Sequence, residues 1–133
     1  MIGLDTNVLV RYLAQDHPAQ AKAATQLIEE GLTSQAPGFV SIVVLCEIIW
    51  VLEACYDAKR EAIVAILETL METSVIVVDS ASAVRAALSH EKIDLADAII
   101  HELGRARACA KTVTFDRKFA RLDGVELLDS GPE

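Results

Sequence analysis

No stretch of this sequence approaches the ~20 consecutive apolar residues that span a bilayer, although the hydrophobic fraction is 53% and the mean hydropathy +0.36. No secretory leader is expected, because Asp5 and Arg11 interrupt the apolar stretch near the start. Cysteine is scarce. Cys46, Cys55 and Cys109 form an odd set without C-x-x-C spacing, which speaks against a disulfide framework or a zinc site. Cys46 and Cys55 lie in apolar helical patterns and are expected as small core residues. These absences leave no membrane role and point to a reducing cytoplasm. Internal repeats, low-complexity tracts and linkers are also missing, so residues 1–133 are expected to form a single domain. A domain of this size buries roughly 68–70% of its unfolded surface, enough for one core without staples.

Positive charge is short as well. Twelve Lys and Arg stand against twenty Asp and Glu, for a net charge of −8. The chain therefore lacks the simple electrostatic footprint of a nucleic-acid binder. A nuclease is not excluded, because metal ions can supply positive charge where phosphate must sit. The apolar content, above the usual ~45–50%, fits either a helix-rich domain with much alanine or a surface covered by another chain.

Taken in order, the pattern predicts a buried strand at 2–4, a helix carrying Val8, Leu9, Tyr12 and Leu13, and a second helix opened by Pro18 that ends at Gly31. A short strand at 39–40 leads to Ser41, an expected N-cap. The helix at 42–56 is apolar on nearly every side and is expected to be buried or sandwiched. Asp57 is the expected cap of a helix at 60–73. The β-branched run at 75–78 reads as a strand in the middle of a parallel sheet. A helix follows from Asp79 or Ser80 to Leu88, then another at 95–107, a strand-like stretch at 109–113, a short helix at 116–121, a strand at 125–128 and a polar tail at 129–133. Strands alternating with helices predict an α/β fold in three layers, with a central, mainly parallel sheet of four to five strands.

Four acids stand out against this frame. Asp5 closes the first strand, and the carboxyl ends of strands are where open α/β sheets bind ligands. Thr6 or Asn7 can cap the next helix and leave Asp5 free. Glu47 sits in the most apolar helix with no cation from 42 to 52. If buried there, it must be paired, neutralised or metal-bound; otherwise it lies on a narrow polar stripe. Asp94 and Asp97 lie three apart at a helix start, which can put both on one face; Asp94 can be the N-cap and Asp97 can serve the helix dipole. Asp116 follows the Thr112–Thr114 stretch as Asp5 follows the first strand, and a helix cap is its alternative role. Clustered carboxylates raise one another's pKa, so a fold gathers them only around a cation. Oxygen ligands without matching His or Cys favour Mg²⁺ or Mn²⁺ over zinc. Two such ions, about 3.5–4 Å apart, clamp a phosphodiester, one activating water and the other stabilising the leaving oxygen.

The residues Leu4-Asp5-Thr6-Asn7-Val8-Leu9, Glu47 in a helix opened by Ser41, Asp94-Leu95-Ala96-Asp97-Ala98, and Thr114-Phe115-Asp116 followed by Phe119 resemble those of PIN-domain proteins. More narrowly, they resemble the VapC-type toxins of bacterial toxin–antitoxin pairs. The resemblance runs along essentially the whole chain. It implies a PIN-like α/β/α fold and a metal-dependent endoribonuclease with one or two Mg²⁺ or Mn²⁺ ions. Asp5, Glu47, Asp97 and Asp116 would be its catalytic, metal-holding acids, with Asp94 as a secondary ligand and Thr6, Asn7 and Thr114 in support. It also implies a homodimer and a small antitoxin that blocks the acidic pocket. Arg11, Arg105, Arg107, Lys111, Arg117 and Lys118 are the candidates for contacts to RNA phosphates, which position a strand without reading its sequence.

Two rival functions use the same features. A receiver-like signalling domain would accept a phosphoryl group on Asp79, after the 75–78 strand, but gives Glu47 no role. A catalytically silent binding module would keep the fold alone.

Overall fold

In the computed structural model the described residues are 1–129, so the expected tail beyond Asp129 lies outside them. The chain divides into two units, Met1–Asp79 and Ser80–Glu133.

The first unit runs β1 (Ile2–Gly3), α1 (Thr6–Ala14), α2 (Pro18–Gln26), β2 (Gly38–Val40), α3 (Ile42–Tyr56), α4 (Arg60–Glu72) and β3 (Ile76–Val78). Its strands pair in parallel in the order β1-β2-β3, with Ile2 opposite Gly38 and Gly38 opposite Ile76. The apolar faces read from spacing meet in one core, where Leu9, Val40, Leu45, Ile48, Ile63 and Leu67 are almost fully enclosed. Gly38 is a packing requirement. A Cβ there would stand 2.7 Å from Leu4 Cδ1 and 2.9 Å from Leu32 Cδ1, both in buried side chains. Pro18 opens α2 as expected, but the helix widens into a π turn over Leu27–Gly31, closed by Leu32 N–H donating to the Leu27 carbonyl at 2.9 Å.

Ser41 caps α3, its Oγ accepting the Val44 N–H at 3.2 Å. Other expectations for this unit need correction. The β-branched run at 75–78 supplies β3, at the edge of the three-strand ladder rather than in its middle, and Val77 is exposed. Only Leu4 of residues 2–4 is buried; Ile2 and Gly3 are exposed. Asp57 ends α3 in the left-handed conformation instead of capping α4, which Lys59 precedes. Helix α3 is not sandwiched: Val43 and Trp50 are 64% and 66% exposed, and Cys55 is exposed rather than core. With only Glu47 and Glu53 as polar marks, the helix gives little sign of which side faces out.

The second unit runs α5 (Ala81–Leu88), α6 (Leu95–Ala106), β4 (Thr112–Thr114), a 3₁₀ turn (Phe119–Arg121) and β5 (Val125–Leu127). Strands β4 and β5 pair in parallel, Thr112 opposite Val125. The four to five strands expected are present as five among the described residues, all paired in parallel, in ladders of three and two. Helices α5 and α6 pack through Val84, Ala87, Ala98 and Ile99.

A buried carboxylate, unforeseen in the sequence, anchors this unit. Glu102 is 5% exposed, yet His90 Nε2 lies 3.0 Å from Oε2 and Arg105 Nη1 donates to Oε1 at 3.1 Å. Burial pushes its pKa up, but the His90 hydrogen bond and the charge of Arg105 outweigh it and hold the value below the ordinary one. Ionised Glu102 therefore stabilises the fold above the unfolded carboxylate pKa. That contribution is lost as pH falls through the lowered folded value. Glu102→Gln is expected to cost about 1–3 kcal/mol at neutral pH, the cost of leaving its partners unmatched. The gap to the parent chain should close as pH drops below the carboxylate range. Thermal melts of both chains across that range check this, and a gap independent of pH would contradict it.

Candidate active site

In the first unit, β1 and Leu4 deliver Asp5 to the start of α1. Asp5 occupies the N-cap position, with φ −80° and ψ 156°, but its side chain makes no capping hydrogen bond. Neither does Thr6 take the cap, as the sequence suggested. Thr6 is the first helical residue, and its buried Oγ1 donates to Glu47 Oε1 at 3.1 Å. That bond joins the first turn of α1 to the second turn of α3. Of the two alternatives for Glu47, the structure takes the polar stripe: the residue is exposed. Glu47 lies on the solvent side of α3 with a neutral hydroxyl as its donor. Asn7 is exposed and lines, with Val8, Arg11 and Leu27, a surface cavity of about 340 Å³ against α2. Arg11 is engaged: its Nε donates to Gln20 Oε1 at 2.8 Å, and its Nη1 lies 3.4 Å from Asp16 Oδ1.

In the second unit one acid feels the charge of two others. Asp97, one turn into α6 and half-buried, has its pKa raised first by burial and then by the charges of Asp94 and Asp116. Asp94 stands at the N-cap of α6 without a side-chain capping bond. Asp116 does cap. Its Oδ1 accepts the N–H groups of Lys118 at 2.8 Å and Phe119 at 3.1 Å, while its own N–H donates to Thr114 Oγ1 at 3.0 Å. Thr114 thus fixes the turn that presents the carboxylate.

The ion pairs of the described residues use other acids. Asp16 pairs with Arg11, Glu102 with His90 and Arg105, and Glu126 with Lys111. None of them uses Asp5, Glu47, Asp94, Asp97 or Asp116. Of the basic candidates, Arg105 and Lys111 are therefore already matched. Arg107, Arg117 and Lys118 are exposed and make no ion pair among the described residues. His101 is a buried core residue, its ring edge-on to His90 with centroids 6.1 Å apart.

The donor set suits a hard divalent cation: oxygen only, anionic, with charge repulsion that a cation would relieve. Among the described residues no three His, Cys, Asp or Glu side chains are already drawn together tightly enough to hold a metal. In the second unit, Asp94, Asp97 and Asp116 are the acids that such an ion would draw in; in the first, Asp5 and Glu47.

A family model described as PIN domain matches residues 2–125. No curated protein matches the chain.

A cation that neutralises these acids should stabilise the folded chain. Asp97 with a raised pKa is disfavoured in its charged form, so without metal it costs stability as pH rises through that value. Millimolar Mn²⁺ or Mg²⁺ is expected to raise the melting temperature by a few degrees near neutral pH, less in Asp97→Asn. The shift should fade on acidification earlier than an ordinary carboxylate would dictate, since protons compete for Asp97 from a higher pH. Melting curves unchanged by either ion would remove the metal from this account.

Proposed function

The chain belongs to the PIN domain family, a family of nucleases, and from that premise we propose that it is a divalent-metal-dependent endoribonuclease hydrolysing RNA phosphodiester bonds. The helices and parallel strands are those of a PIN-like α/β/α fold. The observation that carries the reading is the set of five candidate acids that have no ion pair among the described residues, with Asp97 in the second unit half-buried and feeling the charges of Asp94 and Asp116. An acid kept from cations within its own chain is available to a cation from outside.

The proposed catalytic residues are Asp5, Glu47, Asp97 and Asp116, with Asp94 as a secondary ligand. When bound, Mg²⁺ or Mn²⁺ lowers the pKa of a water and takes up charge from phosphate oxygens. The protein's part is to hold and orient. Thr6 fixes one oxygen of Glu47, and Thr114 fixes the turn at Asp116. The two N–H groups on Asp116 Oδ1 leave Oδ2 as a further acceptor. Arg107, Arg117 and Lys118, unmatched on the surface, are the residues proposed to contact phosphates. Family membership leaves the phosphoacceptor reading of Asp79 without support.

Incubation with single-stranded RNA, with Mg²⁺ or Mn²⁺ and with EDTA, tests the chemistry. EDTA is expected to abolish cleavage. Asp5→Asn and Asp97→Asn should each lower the rate by roughly a thousandfold, in line with several kcal/mol of charge stabilisation lost, while melting as folded proteins. Retained cleavage in both variants would sink the assignment.

We read the chain further as the toxin of a toxin–antitoxin pair, acting in the cytoplasm as a homodimer restrained by a small antitoxin. Supporting this, the sequence resembles VapC-type toxins and α3 exposes Val43 and Trp50, large apolar groups of the kind a partner chain covers. Among the described residues no helix is long and apolar enough to cross a membrane. Light scattering of the purified chain is expected to give the mass of a dimer, or of a complex with a co-purifying small protein; a lone monodisperse monomer speaks against both partners.

A further inference from the structure

The sequence Val113-Thr114-Phe115-Asp116-Arg117-Lys118 holds an unexplained aromatic. Phe115 is 68% exposed and Val113 is 52% exposed, whereas Thr112 and Thr114 are half-buried. Phenylalanine normally earns its place by burying its ring. Here the ring stands in water on the turn that carries Asp116. That turn is well defined, held by Thr114 Oγ1 on the Asp116 N–H and by Asp116 Oδ1 on the N–H groups of Lys118 and Phe119. Phe119, four residues on, is buried at 4% and anchors it to the core.

What could cover Phe115 is decided by the size and charge of its surroundings. The exposed apolar side chains nearby are Val113, Phe115, Leu127 and Leu128. Together they present on the order of 350 Å², under half of the ~800 Å² that each side of a stable protein interface buries. One ring does match one nucleobase. Exposed Arg117 and Lys118 follow within three residues and have no ion pair among the described residues, whereas Lys111 and Glu126 neutralise each other at 2.7 Å. A flat aromatic face beside unmatched cations is the composition of a single-strand binding surface, in which bases stack and cations meet the phosphates.

We propose that Phe115 is a nucleobase-stacking platform that seats one base of a single-stranded RNA beside Asp116, with Arg117 and Lys118 on the flanking phosphates. The inference rests on the ribonuclease reading for its substrate and adds the residue that places the strand.

Trp50 is the chain's one tryptophan and is exposed, so Trp50→Phe combined with Phe115→Trp puts the sole tryptophan, excited selectively over Tyr12 and Tyr56, at the site. In EDTA, short single-stranded RNA is expected to quench this fluorophore saturably, while the matching abasic strand, with sugar and phosphate alone, leaves it unchanged. In the parent chain with metal, Phe115→Ala is expected to raise KM about tenfold with kcat within twofold, and Phe115→Tyr to restore KM. Equal quenching by both strands, no quenching at all, or a protein-concentration-dependent emission shift without RNA would each overturn the stacking role, the last by showing self-association there. Binding and cleavage fail separately. Quenching without cleavage by the parent chain removes the nuclease reading and keeps the platform; cleavage without quenching does the reverse.

Discussion

A carboxylate without a cationic side chain beside it keeps its charge for a cation from outside, and the five candidate acids are in that state among the described residues. The basic residues of the described chain are not so few that acids go unpaired by default; Asp16, Glu102 and Glu126 all find partners. The five acids Asp5, Glu47, Asp94, Asp97 and Asp116 do not. Asp5 and Asp94 stand at helix N-caps without spending their oxygens on the cap. Glu47 is steadied by a neutral hydroxyl, which orients a carboxylate without cancelling its charge. Asp97 is half-buried near like charges, and burial first, then the charges of Asp94 and Asp116, raises its pKa. Such an arrangement is costly unless a ligand relieves it.

The two units hold their acids by different means. In the first, a single buried hydroxyl ties helix to helix, so Thr6 carries the geometry of Glu47. In the second, α6 presents Asp94 and Asp97 one turn apart, and its own stability leans on Glu102 a turn and a half further along. Glu102 is buried and matched; Asp97 is half-buried and unmatched. The same helix therefore carries one carboxylate that holds the fold and another kept available, and partners rather than residue type separate them.

Much of this was legible in the sequence because it follows from local chemistry. Asp5 after an apolar run, Ser41 before one and Pro18 at a helix start are signals with a backbone meaning, and each element appears where they point. What failed was direction. The apolar neighbours of Glu47 leave it either buried with a partner or on a narrow polar stripe; the structure takes the second, and Val43 and Trp50 on the same helix are exposed with it. In so apolar a helix only Glu47 and Glu53 mark the face that meets solvent, too few to show that Val43 and Trp50 share it. The run at 75–78 read as a central strand, but edge or centre depends on the order of pairing, a long-range fact. Thr6 was assigned a cap because hydroxyls near helix starts usually cap. Its donation to Glu47, 41 residues away, has no local signature. The Glu102 network did have one, the i,i+3 spacing to Arg105, but such spacing is common on exposed helix faces and does not announce burial.

Asp116 shows why cap and ligand are poor alternatives. A carboxylate offers about four lone-pair positions. Two backbone N–H groups on Oδ1 occupy part of that capacity and leave Oδ2. Capping also fixes the plane of the carboxylate, which a flexible side chain would otherwise have to order at the moment a cation binds. The cap is thus a means of pre-organising the ligand. The same hydrogen bonds fix the backbone on either side, so Phe115 before it and Lys118 after it are held in a set relation to the acid. A turn that needed only to close a helix would gain nothing from an exposed ring; on the proposed reading, a strand seated on Phe115 would find the acid and the cation set beside it by these same hydrogen bonds.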